Sequence, residues 1–282
     1  MSLSPYLLHL QTGWFTIQVD CHETEAWFPV LRERYAEFLV PAHTGPVSPA
    51  IQITLRIPDT SSDPSGHKVF HFSPPGGFFS APGWEGVLDF SSGTGWVRPA
   101  SAYYVEELDY FLRVACALQA FRTGGLLFHA AGIVRDAKAY VFFGHSGAGK
   151  TTVSRLSGVD HVLNDDLLLL RPEAAGWQVY STPFFNPTQV PPRENRSATL
   201  TSMFSLVQDQ EVYLETPSQA QLLAELVANI PVVSTDPRAT LPLIARCQTL
   251  LSHVPVYRLH FRKDDSFWAC IEQEETTQRL SR

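Results

Sequence analysis

Basic surplus is missing from this chain of 282 residues: Lys and Arg number 21 against 28 Asp and Glu, for a net charge of −7 and a pI near 5.8. Sequence-independent binding to nucleic acid needs cationic excess to neutralise phosphates, so no nucleic-acid partner is expected. Cysteine is scarce too. Cys21, Cys116, Cys247 and Cys270 are widely separated and form no C-x-x-C pair, which excludes a disulfide framework and a cysteine zinc site and leaves reduced thiols. No apolar run approaches the roughly 20 residues needed to span a bilayer. The opening Met1-Ser2-Leu3-Ser4-Pro5-Tyr6-Leu7-Leu8 has neither a basic n-region nor a long apolar core, so no signal peptide is expected. The expectation is a cytoplasmic protein with no membrane partner. Internal repeats and low-complexity tracts are also missing. What is present, 44% hydrophobic and 17% charged residues, is globular composition on a chain long enough for one large or two ordinary domains.

Residues 1–100 read as a small α/β domain. Alternation predicts strands over 14–19, 51–55 and 68–72, and helical spacing runs over 23–40 through Trp27, Leu31, Tyr35 and Leu39. Proline and glycine mark loops at 58–66 and 74–83. Ser92-Gly93-Thr94-Gly95 centres a hairpin over 85–97. A long helix over 102–122, with Val105, Leu108, Leu112, Ala115 and Leu118 in register, ends before Gly124-Gly125. Its aromatics Tyr103, Tyr104, Tyr110 and Phe111 read as core, and it joins this domain to a second one, taken as 101–282. The second is strand-rich: 126–130, 139–143, 160–164, 167–170, 178–181, 203–207, 212–214 and a closing strand at 256–261. Helices are expected over 217–228 and 237–251, capped by Thr216 and Asp236, and 182–187 is a proline-bounded loop.

The chemistry sits in the second domain. Gly144-His145-Ser146-Gly147-Ala148-Gly149-Lys150-Thr151 is a full G-x-x-x-x-G-K-[ST] phosphate loop, followed by Thr152. Its glycines let backbone N–H groups turn inward around β- and γ-phosphates, Lys150 adds a point charge, and the Thr151 hydroxyl can ligate Mg²⁺. The apolar run 139–143 is the feeding strand, and 151–156 opens a helix. The His145 side chain can point outward and is assigned no chemistry. Asp165-Asp166 follows closely, leaving room for one helix of about two turns and one short strand. Successive strand residues face opposite ways, so two carboxylates there suit two jobs: holding a metal ion and accepting a hydroxyl proton.

A helix followed at once by a strand ending in Asp165-Asp166 resembles the HPr kinase/phosphorylase and phosphoenolpyruvate carboxykinase group of P-loop proteins. The flanks are similar to the HPr kinase side. Leu127-Phe128-His129-Ala130-Ala131-Gly132-Ile133-Val134 resembles that family's strand with a histidine and small residues, and Val162-Leu163-Asn164-Asp165-Asp166 its carboxylate strand. The likeness covers residues 124–171. It implies an α/β fold: an HPr-kinase-like P-loop domain with a mixed sheet, behind the small N-terminal domain. It also implies ATP and Mg²⁺, with Asp165 beside the metal, Asp166 as general base and His129 orienting a phosphate or the base; the reverse order of the aspartates stays open. The implied activity is ATP-dependent transfer of the γ-phosphoryl group to a hydroxyl, a serine of a protein or peptide; the N-terminal domain, which has its own elements and no cluster of catalytic residue types, is expected to help choose the acceptor. No counterpart of the family's further segment tied to phosphorolysis is recognisable. A nucleotide-binding sensor without significant turnover and a small-molecule kinase remain alternatives. The choice between ATP and GTP and a homo-oligomeric state stay open. Arg193, Arg196, Arg135 and Arg155 are candidates for cationic help to the transferred group.

Overall fold

The computed structural model describes residues 6–40, 48–57, 68–73, 75–100, 103–158, 161–186, 188–192 and 194–280. The chain divides into two compact units, Met1–Gln119 and Ala120–Arg282. Among the described residues the fold is mixed α/β, with two sheets and six α-helices.

In the first unit, β1 (Leu7–Thr12), β2 (Phe15–Asp20), β3 (Ile51–Leu55), β4 (Val69–Ser73), β5 (Gly76–Ala81), β6 (Trp84–Asp89) and β7 (Thr94–Pro99) form one sheet ordered β1-β2-β3-β7-β6-β5-β4. β2, β3 and β7 run parallel, and the hairpin expected over 85–97 is β6–β7. Alternating burial in β2, β3 and β6 turns one face inward. The helix expected over 23–40 is broken into a 3₁₀ turn His22–Trp27, α1 (Phe28–Arg34) and a second 3₁₀ turn Ala36–Phe38. Thr24 leaves helical geometry (φ −133°, ψ 40°), and Pro29 fits only the first turn of a new helix. The loop expected over 58–66 lies outside the described residues. That expected over 74–83 is instead mostly β5. A Cβ on Gly76 would meet the Leu88 carbonyl oxygen at 1.8 Å, so this glycine serves close backbone approach rather than a turn.

The long helix is α2 (Tyr104–Arg122). Buried Asp109 fixes it, accepting from Tyr35 Oη at 2.9 Å, Arg34 Nη2 at 3.2 Å and Arg113 Nη2 at 3.4 Å. Its aromatics are not all core as expected: Phe111 is buried, but Tyr103 and Tyr110 are 71% and 51% exposed. Tyr104 stacks on Trp27.

The second unit holds β8 (Leu126–Arg135), β9 (Lys138–Phe143), α3 (Lys150–Leu156), β10 (His161–Asn164), β11 (Leu167–Glu173), β12 (Gly176–Tyr180), β13 (Ser197–Gln208), β14 (Tyr213–Glu215), α4 (Gln219–Ala228), α5 (Thr240–His253), β15 (Val256–Phe261) and α6 (Ser266–Leu280). β9, β13 and β15 are parallel. β8 carries β9 on one edge and both β10 and β11 on the other. Pairings β8·β11, β11·β12, β12·β13, β13·β9 and β9·β8 close a ring of five strands. α6 follows the strand expected to close the chain. Its Phe267, Trp268 and Ile271 join Phe142, Phe204 and Phe261 in one buried cluster. No described helix is long and apolar enough to cross a membrane. None of the four cysteines is disulfide-bonded, and burial pushes Cys21 and Cys247 up to about 12, which leaves them unreactive.

The cap of α4 is Ser218, not Thr216. Its hydroxyl accepts from Gln221 N while Gln221 Oε1 accepts from Ser218 N, a reciprocal capping box. Urea denaturation should find Ser218→Ala destabilised by about 1 kcal/mol and Thr216→Ala unchanged within about 0.5 kcal/mol. Equal losses in the two variants would contradict this cap.

Candidate functional site

β9 is buried along almost its whole length and delivers the chain to Gly144 at the carboxyl end of the parallel strands. Gly144, Gly147 and Gly149 have φ of 148°, 83° and 116°, values that side chains disfavour. At Gly149 a Cβ would also lie 2.5 Å from Phe261 Cζ at the end of β15. Gln208 Nε2, at the end of β13, donates to Gly147 O at 2.8 Å. The loop is thus held by the ends of two strands far along the chain. Its interior turn is closed by Ala148 N donating to His145 O at 3.1 Å. The exposed His145 ring bonds only its neighbour's carbonyl, Ser146 O, at 2.7 Å.

α3 begins at Lys150, with Thr151 and Thr152 half-buried in its first turn. The Lys150 ammonium is buried and donates to Gly144 O at 2.9 Å and His145 O at 3.3 Å. Burial lowers its pKa, and the charges of Asp166 and Asp165 oppose that shift.

Asp165 and Asp166 form the bend between β10 and β11, two strands that continue one another along β8. A register shift between Val162 and Asn164 interrupts the regular alternation there. Asn164, fully buried, holds the bend. Its Oδ1 accepts from Asp166 N at 2.7 Å and Leu167 N at 3.2 Å, and its Nδ2 donates to Thr182 O at 2.9 Å and Phe184 O at 2.8 Å. Thr182 Oγ1 closes the set by donating to Leu167 O at 2.7 Å.

The two carboxylates have different surroundings. Asp165 Oδ2 accepts from Val190 N at 3.0 Å, whereas its buried Oδ1 has no hydrogen-bond partner. Burial raises the Asp165 pKa; Val190 N–H and then the Thr151 hydroxyl oppose the rise, Asp166 adds to it, and Arg155 opposes it. Asp166 Oδ1 lies 3.4 Å from His129 Nε2, and its Oδ2 accepts from Asn186 Nδ2 at 3.4 Å. His129 is anchored by its own N–H donating to Asn229 O at 2.8 Å.

No motif in the sequence marks Asn164, Asn186 or Val190. The only signal was the amide beside the aspartates, because its partners arrive from 182–190 with no motif. Of the candidate arginines, Arg155 donates to Thr188 O at 2.8 Å beside this site. Arg135 pairs with Glu272 and lies over Trp268, and Arg196 pairs with Glu194. Arg193 lies outside the described residues.

A cavity of about 720 Å³ opens beside the loop, lined by residues 144–148, His129 and Phe143, by 205–208 of β13, by Glu225, Ala228 and Asn229 at the end of α4, and by Arg258 of β15. Among the described residues no three His, Cys, Asp or Glu side chains group as a metal site; the oxygens suited to a hard cation are those of Thr151 and Asp165. No protein-family model matches the chain, and no curated protein matches it.

Asp165 gives a pH test. Its folded pKa is raised above its unfolded value, so the folded chain binds the extra proton and loses stability as pH rises through that window. Asp165→Asn should melt with wild type near the ordinary aspartate pKa of about 3.9 and at higher temperature at neutral pH, in chelator without nucleotide. A variant that melts lower at neutral pH would show that the carboxylate is not strained by burial.

Proposed function

We propose that this chain is an ATP-dependent phosphotransferase of the HPr-kinase-like P-loop type, acting on a hydroxyl and reading its acceptor with help from the first unit. The observation that carries the reading is the joint position of three groups. A buried lysine at the head of a glycine loop lies in the field of two buried carboxylates, and one of these, Asp165, keeps one oxygen without a partner while the Thr151 hydroxyl acts on the same carboxylate. That oxygen pair fits Mg²⁺, which takes one or two protein oxygens and fills its remaining positions with phosphate and water. When bound, Mg²⁺ supplies neutralising charge to the β- and γ-phosphate oxygens.

In this reading the 144–151 backbone and Lys150 bind the phosphates. Asp166 takes the acceptor's proton as the acceptor oxygen bonds to the γ-phosphorus and the bond to the β–γ bridging oxygen breaks, releasing ADP. His129 and Asn186 hold the Asp166 carboxylate in place, one at each oxygen. Asp165, engaged on one side only, is the better metal residue.

Lys150→Ala should lose ATP affinity severely in isothermal titration; wild-type affinity would sink the P-loop reading. Asp166→Asn should still bind ATP but transfer phosphate about 10²–10⁴-fold more slowly, while Asp165→Asn should raise the Mg²⁺ requirement. Identical defects in the two would refute the division of labour. ATP bound with no turnover on any acceptor would instead favour a nucleotide-binding partner protein.

A further inference from the structure

The cavity beside the loop has a second wall that phosphate binding does not use. Phe143 pairs with Ser205, Ser205 with Arg258, and Arg258 with Glu215, so the last three side chains stand in one row on one face of the sheet. α4 brings Glu225 and Asn229 to the same cavity. Two buried polar atoms here lack partners: the hydroxyl of Ser205, a residue 5% exposed, and Oε2 of Glu225. Buried polar groups in folded proteins almost always have a hydrogen-bond partner, so two residues that line one cavity and each keep an orphan polar atom point to a polar ligand.

The charges specify the ligand further. Among the described lining residues Arg258 is the only lysine or arginine, and it is already engaged, Nη1 with Glu215 Oε2 at 2.9 Å and Nη2 with Glu225 Oε1. Behind it His260 bridges Asp209 Oδ2 at 2.9 Å and Glu215 Oε2 at 3.4 Å. Three carboxylates therefore face one guanidinium and one imidazole, and Glu225, with one oxygen unpartnered, is the carboxylate among them that lines the cavity. An anionic ligand would meet repulsion there; an ammonium or guanidinium would complete the pairing.

Position assigns the wall to the acceptor. The cavity touches His129, the neighbour of Asp166, and residues 144–148, but not Lys150, Thr151 or Thr152. Asn229 ties the two ends together, its carbonyl accepting from His129 N and its Nδ2 donating to Glu225 O at 2.8 Å. We propose that this cavity is the acceptor pocket, and that it selects an alcohol carrying a cationic group near the reacting hydroxyl, with Glu225 holding the cation and Ser205 a further polar group. The assignment of the hydroxyl to an acceptor rests on the phosphotransfer reading above; the preference for a cation rests on the cavity alone.

The full chain is tested by saturation-transfer NMR and by γ-phosphate transfer against two matched sets. One is capped serine tripeptides with Lys, Gln or Glu beside the serine; the other is ethanolamine, ethylene glycol and glycolate. The cationic member of at least one set should bind about tenfold tighter than its neutral partner, and the set that does so tells a peptide acceptor from a free amino alcohol. Glu225→Gln keeps an oxygen for Arg258 and should erase that preference while ATP titration stays at the wild-type value. Ser205→Ala, which leaves every charge in place, should weaken binding and keep the preference; circular dichroism verifies folding of both variants. Equal or better binding of neutral or anionic probes, no binding of any cationic probe, or a preference that survives Glu225→Gln overturns the proposal. A cationic preference in a chain that binds no ATP supports the cation site and sinks the phosphotransfer reading instead.

Discussion

The carboxamide of Asn164 uses both its ends on backbone, and the candidate site takes its form from that bond set. Its oxygen turns the chain through Asp165-Asp166, and its nitrogen ties the turn to 182–184. Without it, β10 and β11 would run on as one strand along β8 and the two aspartates would point to opposite faces of the sheet. With it, Asp165 meets Val190 while Asp166 meets His129 and Asn186. A buried amide left unmatched costs about 1–3 kcal/mol per group, so this junction has little freedom to rearrange.

Electrostatic tension accompanies that rigidity. Lys150, Asp165 and Asp166 are all buried, and burial disfavours the charged form of Lys150 and Asp165 alike. The two aspartates relieve Lys150 and Arg155 relieves Asp165, yet Asp165 keeps one oxygen with no donor. Under the phosphotransfer reading, a nucleotide with its metal would bring anion and cation in together and relieve both.

How much of this the sequence carried follows from the range of each interaction. The glycine loop, its feeding strand and its helix were legible because their requirements are local: positive φ, a buried strand, a lysine at a fixed offset. The hairpin at Ser92-Gly93 was legible for the same reason. β5 was not, since its glycines read as turn residues until the backbone of β6 is beside them. α6 was missed because its buried face is short and its other residues are polar, so it takes its place by packing on Phe142 and Phe261 rather than by pattern. Asn164, Asn186 and Arg258 belong to the same class: unremarkable types whose partners lie far along the chain.

That dependence on distant residues reaches the glycine loop itself. Its motif is eight consecutive residues, but the atoms bracing it come from Gln208 and Phe261, and β9 finds its second neighbour only in β13. During synthesis the motif emerges long before any of these. The five-strand ring cannot close until β13 has left the ribosome, and the Phe261 contact waits for β15. Pairings of such long sequence separation carry a loop-closure cost before any contact rewards it, and they form slowly. The supports of the loop that looks most self-contained in the sequence are therefore among the later parts of the second unit to emerge, and a chain cut before residue 208 would carry every letter of the motif without Gln208 or Phe261.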